Sequence, residues 1–215
     1  MSALNAQRLA IGNDSARHSA ELAASAIPPE AIQAAGIRYM SDPEARDFGF
    51  RGDGSLAGLF FPYWRPESGD FSDRYGRLKP DAMVEDRKYL SPVWESPRFY
   101  FTPGTKPAEL ADVTLPILIV EGEKKSLSVA AWAHRTGRRY LVIGIGGCNA
   151  WKRSVRGLLP DGSIGQVGSE PIADFDLNEW AGRDVTIALD GDVVSNWRVR
   201  VAEIALVKEL ARRGV

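Results

Sequence analysis

One cysteine, Cys148, and two histidines, His18 and His134, are the only thiol and imidazole side chains in this 215-residue chain. No intrachain disulfide can form, and no cysteine-based zinc ribbon can be built. A reducing, cytoplasmic compartment is the expectation that follows. Long apolar runs are missing too: the amino-terminal stretch has no basic head followed by an apolar core, and nothing approaches the roughly 18 apolar residues of a membrane span. A dominant charge is likewise absent, with 27 Lys+Arg against 28 Asp+Glu. There is no global field to attract nucleic acid, so any polyanion site must be a local patch. Repeats and low-complexity tracts are also missing. What is present, 44% hydrophobic and 26% charged residues, excludes a disordered chain and fits one substantial domain or two small ones.

Residues 1–25 read as a polar, alanine-rich leader with some helical character. Ile27-Pro28-Pro29-Glu30, closed by Gly36, reads as a short helix with proline at its start and glycine at its end. Between about 47 and 105 the apolar runs are short and strand-like: Leu59-Phe60-Phe61, Tyr63-Trp64 and Phe99-Tyr100-Phe101. Turn clusters such as Arg51-Gly52-Asp53-Gly54 separate them, which predicts a small β-rich subdomain.

The pattern changes after Pro103-Gly104. Leu115 to Val120 is a continuous apolar run suited to a strand buried on both faces, Tyr140 to Ile143 is a second, and Val185 to Leu189 a third. Between the first two, Leu127, Ala130, Ala131 and His134 fall on one helical face; Trp197, Val201, Ile204, Val207 and Ala211 stripe a final helix. The order strand, helix, strand, loop or helix, strand, helix predicts an α/β fold. Its mostly parallel sheet would be flanked by helices, with ligand sites at the carboxyl ends of the strands. The division expected is a leader over 1–25, a basic, β-rich subdomain over 26–110 and the α/β domain over 111–215.

Two acidic clusters stand at those strand ends: Glu121-Gly122 after the first α/β strand, and Asp190-Gly191-Asp192 after the third. Adjacent parallel strands would bring the three carboxylates into one crevice. Such a cluster suits Mg²⁺ or Mn²⁺, which take one or two carboxylates and leave room for water and phosphate oxygens. Solvent-facing loop acids are the alternative. Lys124 and Lys125 are either solvated first-turn residues or charges that neutralise a transferring phosphate. Glu123-Lys124-Lys125-Ser126 is not a phosphate-binding P-loop, because glycine does not directly precede Lys-Ser. Gly144-Ile145-Gly146-Gly147 lacks the third glycine of a dinucleotide fingerprint; it is a flexible turn, or Gly146 and Gly147 offer backbone N–H groups to a nucleotide. His134 reads as a packed or partly exposed histidine rather than a ligand, Cys148 as a small packing residue, and Trp151, Trp180 and Trp197 as core or hinge aromatics. Tyr63, Trp64 and Tyr89, interleaved with Arg65, Arg87 and Lys88, either stack bases or belong to an ordinary mixed surface.

The two acidic segments, Ile117-Leu118-Ile119-Val120-Glu121-Gly122 and Ala188-Leu189-Asp190-Gly191-Asp192, resemble the signature segments of the Toprim domain of topoisomerases, bacterial-type primases and some nucleases. Upstream, Leu59 to Tyr63, Tyr75-Gly76-Arg77, Arg87 to Pro92 and Phe99 to Phe101 follow the order of the bacterial-type primase core. The resemblance covers roughly residues 25–215 and is closest to the Toprim-like domain of plasmid, phage and integrative-element replication proteins, often found beside a helicase. It implies primer synthesis or extension on single-stranded DNA from nucleoside triphosphates, by phosphoryl transfer at a Mg²⁺ (or Mn²⁺) site. Glu121, Asp190 and Asp192 would be the metal ligands, with Lys124 and Lys125 beside them. Arg77 and Lys88, with Lys79 and Arg87, would face template or nucleotide, and a helicase is an expected partner. A Toprim nuclease and a non-catalytic DNA-binding or helicase-docking module are the other readings. Three departures stand out. Lys125 occupies a position where bacterial-type primases usually carry an acid. No zinc module is possible. The chain ends at Arg212-Arg213-Gly214-Val215, where one more strand would begin, which points to a piece of a longer protein.

Overall fold

The computed structural model describes residues 13–191 and 196–215. They form two compact units: one runs through Tyr63 and resumes over Phe71–Glu95, the other comprises Trp64–Asp70 and Ser96 onward.

The first unit opens with α1 (Asn13–Ala24) and α2 (Pro29–Ala34), followed by β1 (Arg38–Met40) and α3 (Asp42–Phe48). Pro29 starts α2 where a missing N–H costs nothing, and Gly36, at φ 61, closes the turn after it. The strands β2 (Gly58–Arg65) and β3 (Asp70–Pro80) pair with each other, and β1 lies antiparallel on β2 with Tyr39 opposite Leu59. Phe50, Leu56, Phe60, Leu78 and Leu90 form its core with Met40, Ala45 and Val84.

The second unit is the predicted α/β layer. In chain order it contains β4 (Tyr100–Phe101), α4 (Pro107–Ala111), β5 (Ile117–Glu121), α5 (Glu123–Arg135) and β6 (Leu141–Ile145). Then come the hairpin strands β7 (Lys152–Leu158) and β8 (Ile164–Pro171), a 3-10 turn at Ala173–Leu177, β9 (Val185–Ala188) and α6 (Trp197–Arg212). Strand order is β4-β6-β5-β9, and β5 is central, parallel to β6 (Ile119 opposite Ile143) and to β9 (Ile119 opposite Ile187). The antiparallel β4 closes one side, with Phe101 also facing Trp64. Ile117, Ile119, Leu141 and Ile143 sit at the centre of the core, with Trp151, Phe175 and Trp180 packed beneath. This mainly parallel sheet with flanking helices is the predicted fold class.

Two buried polar side chains tie the layer together. Arg183 donates to the carbonyls of Leu115 (2.7 Å), Leu110 (2.8 Å), Glu109 (2.8 Å) and Glu179 (3.3 Å), which fixes the amino-terminal ends of β5 and β9. Asp174 accepts from Phe99 N–H (2.6 Å) and Arg98 Nε (2.7 Å), and burial pushes its carboxyl above the usual range despite Arg98.

Several expectations need correction. The segment after β6, expected as loop or helix, is the β7–β8 hairpin; its few apolar residues, among them Leu158, Ile164 and Val167, are exposed and form no core stripe, so periodicity misses it. On α6 the buried residues are Val199, Ala202, Leu206 and Leu210, whereas Trp197 (69% exposed), Val201, Ile204 and Val207 face outward. That helix is apolar on two sides, and only one can meet the sheet. His134 is exposed because the packed face of α5 runs through Ser126, Leu127 and Ala133. Trp151 and Trp180 are core residues as expected, at 5% and 3% exposure, and Cys148 is half-buried.

Candidate functional site

Parallel strands end on the same side of a sheet, so the residues that follow them lie on that side. Glu121 closes β5 and is half-buried, and Asp190 lies two residues beyond the end of the neighbouring β9. Val120 is level with Ala188 in the parallel register, which brings the two acidic segments to one end of the sheet. Asp192, the third predicted carboxylate, lies outside the described residues. Among the described residues, no group of three or more His, Cys, Asp or Glu side chains is positioned to hold a metal.

The turn after Glu121 has a defined construction. Gly122, with φ 87 and ψ 164, adopts a backbone conformation almost reserved to glycine, and its N–H donates to the Ile145 carbonyl at 2.7 Å. That bond ties the end of β5 to the end of β6 and launches α5. Ser126 returns to the same turn, its Oγ donating to the Gly122 carbonyl at 2.9 Å. Across from it Gly144 lets α5 lie close on β6: a Cβ there would stand 2.3 Å from Ser126 Oγ.

Lys125, the departure from the primase pattern, meets an acid of the site. Its Nζ forms an ion pair with Asp190 Oδ1, and both side chains are about half exposed, at 48% and 47%. Lys124 is half-buried in the same first turn. Gly146 and Gly147 fall in the turn that follows β6, at the same end of the sheet as Glu121. Gly147 has φ 134, and its carbonyl accepts from Ala150 N–H at 2.8 Å.

Sequence reasoning passed over Glu123. It is 1% exposed in the first turn of α5, where a carboxylate is favoured by the helix dipole. Burial and the nearby Glu123 charge push the buried Tyr100 phenol well above its ordinary range. The spacing Glu123, Ser126, Leu127 on the packed face is the signal that places this acid inward while Lys125 points out.

The predicted basic strip belongs to the first unit. The antiparallel bridge between Leu78 and Leu90 sets Arg77 beside Tyr89, whose ring lies 4.8 Å from the guanidinium carbon. Lys79 is paired with Glu21, Arg87 bonds Glu85 at 2.6 Å, and Lys88 is exposed. Two of the three predicted stacking aromatics are engaged elsewhere. Tyr63 is 2% exposed against the edge of Tyr75, and Trp64 Nε1 donates to the Thr105 carbonyl at 2.9 Å. Their apolar neighbours in β2 demand burial, which the mixed basic context concealed.

No described helix is long and apolar enough to cross a membrane. No family model matches the chain, and no curated protein matches it. Among solved structures, the chain is similar to one described as the DnaG primase catalytic domain bound to ssDNA, with a TM-score of 0.49 and 13% identity. That similarity covers 91% of this chain and 61% of the other.

Proposed function

We propose that this chain is a primase-like core that makes or extends primers on single-stranded DNA by nucleotidyl transfer. The observation that carries this reading is that Glu121 and Asp190 follow neighbouring parallel strands at the same end of the sheet. The order of motifs along the chain, upstream basic segments before the two acidic ones, supports it. Two carboxylates match the number that one Mg²⁺ takes when water and phosphate oxygens complete its shell. Glu121 and Asp190 would hold the ion, with Asp192 as a further ligand. When bound, Mg²⁺ or Mn²⁺ supplies charge stabilisation to a transferring phosphoryl group.

The chain's own residues do the rest. Gly122 and Gly144 fix Glu121 against β6, Lys124 and Lys125 bring positive charge to the phosphate side of the site, and Gly146 and Gly147 supply backbone near the nucleotide. In the first unit Arg77, Lys79, Arg87 and Lys88 would contact the backbone of template or nucleotide, with Arg77 held by Tyr89. The ion pair between Lys125 and Asp190 favours a second reading, a DNA-binding or helicase-docking module without catalysis.

Template-directed incorporation of labelled nucleotides separates the two. Activity that needs single-stranded DNA, nucleoside triphosphates and a divalent ion, and that falls at least about 100-fold in Glu121→Gln and Asp190→Asn, supports the primase reading. DNA binding that is equal in both variants and in chelator, without incorporation by the wild type, overturns it.

A further inference from the structure

We infer that Lys125 is the resident counter-charge of the acidic crevice, so that a divalent cation binds only by displacing its ammonium from Asp190. The inference rests on the proposed metal reading and adds to it a built-in competitor. Lys125 lies in the first turn of α5, four residues after Glu121, on the face opposite the buried Ser126 and Leu127. Its stem is therefore anchored by the helix while its head reaches across to the end of β9, where Nζ pairs with Asp190 Oδ1. Gly122 and the Ser126 hydrogen bond fix where the helix starts, which limits where the ammonium can go.

The electrostatics follow from charge and place. Asp190 at the strand end carries a negative charge that either a metal or a lysine can neutralise, and Lys125 is the partner present. With the lysine paired, one carboxylate is already neutralised, and an incoming dication meets both a like charge and an occupied oxygen. Both partners are half exposed, so the pair is weak enough to exchange: water can solvate the freed ammonium, which then faces the phosphates the metal would carry. One crevice thus has two states: closed on itself when empty, and opened when metal and nucleotide arrive together. Nucleotide phosphates give the displaced ammonium a new partner, so metal affinity rises when nucleotide is present.

Mn²⁺ binding by titration calorimetry, with free Mn²⁺ followed by electron paramagnetic resonance, tests this on the full chain. Lys125→Met is expected to bind Mn²⁺ about tenfold tighter than wild type, the effect of removing one positive charge beside a dication at a half-exposed site. In an Asp190→Asn background the same change is expected to alter affinity less than about twofold, because the pair is already gone. Nucleoside triphosphate is expected to tighten Mn²⁺ more in wild type than in Lys125→Met. Equal affinity in wild type and Lys125→Met, or a gain that persists undiminished with Asp190→Asn, overturns the inference and leaves the metal reading in place. No binding by either form overturns both. A gain in Lys125→Met without nucleotidyl transfer by any form keeps the inference and removes the primase reading. Circular dichroism of each variant reports the fold independently.

Discussion

The two acid-glycine turns look alike in sequence and are built differently. Glu121-Gly122 is bonded on all sides: Gly122 N–H is fixed to Ile145, its carbonyl accepts from Ser126, and α5 begins at once with the buried Glu123. At Asp190-Gly191 the glycine needs no positive φ, and α6 starts only at Trp197 with Asn196 as its cap. The two turns divide the work of a site. One holds its carboxylate in place, and the other presents a carboxylate that Lys125 of the first turn reaches across to hold.

The largest test of this division is the shared footing of the two strands. Replacing Arg183 by Met leaves the carbonyls of Leu115 and Glu109 without their guanidinium donor, leaves Leu110 with only the Glu179 N–H, and removes the clamp on both amino-terminal ends. A loss of about 3–5 kcal/mol in denaturant unfolding is expected, with both acids affected. A loss below about 1 kcal/mol would show that β5 and β9 are positioned independently of Arg183.

The helices that follow the turns provide a second test. On α6, Leu206→Ala is expected to cost about 2–5 kcal/mol because Leu206 fills the core, while Val207→Ala on the outward side stays within about 0.5 kcal/mol. Similar losses from both would mean that the outward apolar side is covered in solution.

The smallest effect sets the turns directly against each other. Gly122→Ala is expected to cost about 1–3 kcal/mol through backbone strain, and Gly191→Ala less than about 0.5 kcal/mol. Thermal denaturation of the two single variants compares them, and equal shifts would abolish the distinction.

Much of the fold is legible in the sequence. The strands β5 and β6 announce themselves as short continuous apolar runs, because a strand covered on both faces has no polar positions to interrupt it, whereas β9, expected to be buried on both faces, is the edge strand and exposes Thr186 and Ala188. The strand-end positions of Glu121 and Asp190 are legible for the same reason: a carboxylate directly after such a run must lie at the strand end. The ion pair of Lys125 was not legible, since helix position gives its direction and only the register of β9 supplies its partner. The burial of Tyr63 was missed because aromatic residues beside arginines suit a stacking surface as well as a core edge. The outward side of α6 was mistaken for the packed one because both sides carry the helical period, and periodicity alone cannot choose between them. Glu123 was overlooked because a charged residue in a first turn is normally solvated.

The hairpin of β7 and β8 leaves the domain at Trp151 and rejoins it at Ile172, whose N–H donates to the Trp151 carbonyl at 3.1 Å. Both of those residues are buried, at 5% and 1% exposure, while nearly everything between them lies in solvent. The chain therefore closes a circuit at its base before the detour begins. Its length is something the rest of the molecule cannot sense: residues can be added or trimmed at the Asp161-Gly162 tip without moving β6 or β9. Among the described residues, the hairpin is free to vary in sequence with little effect on the sheet, and its tip suits an inserted reporter.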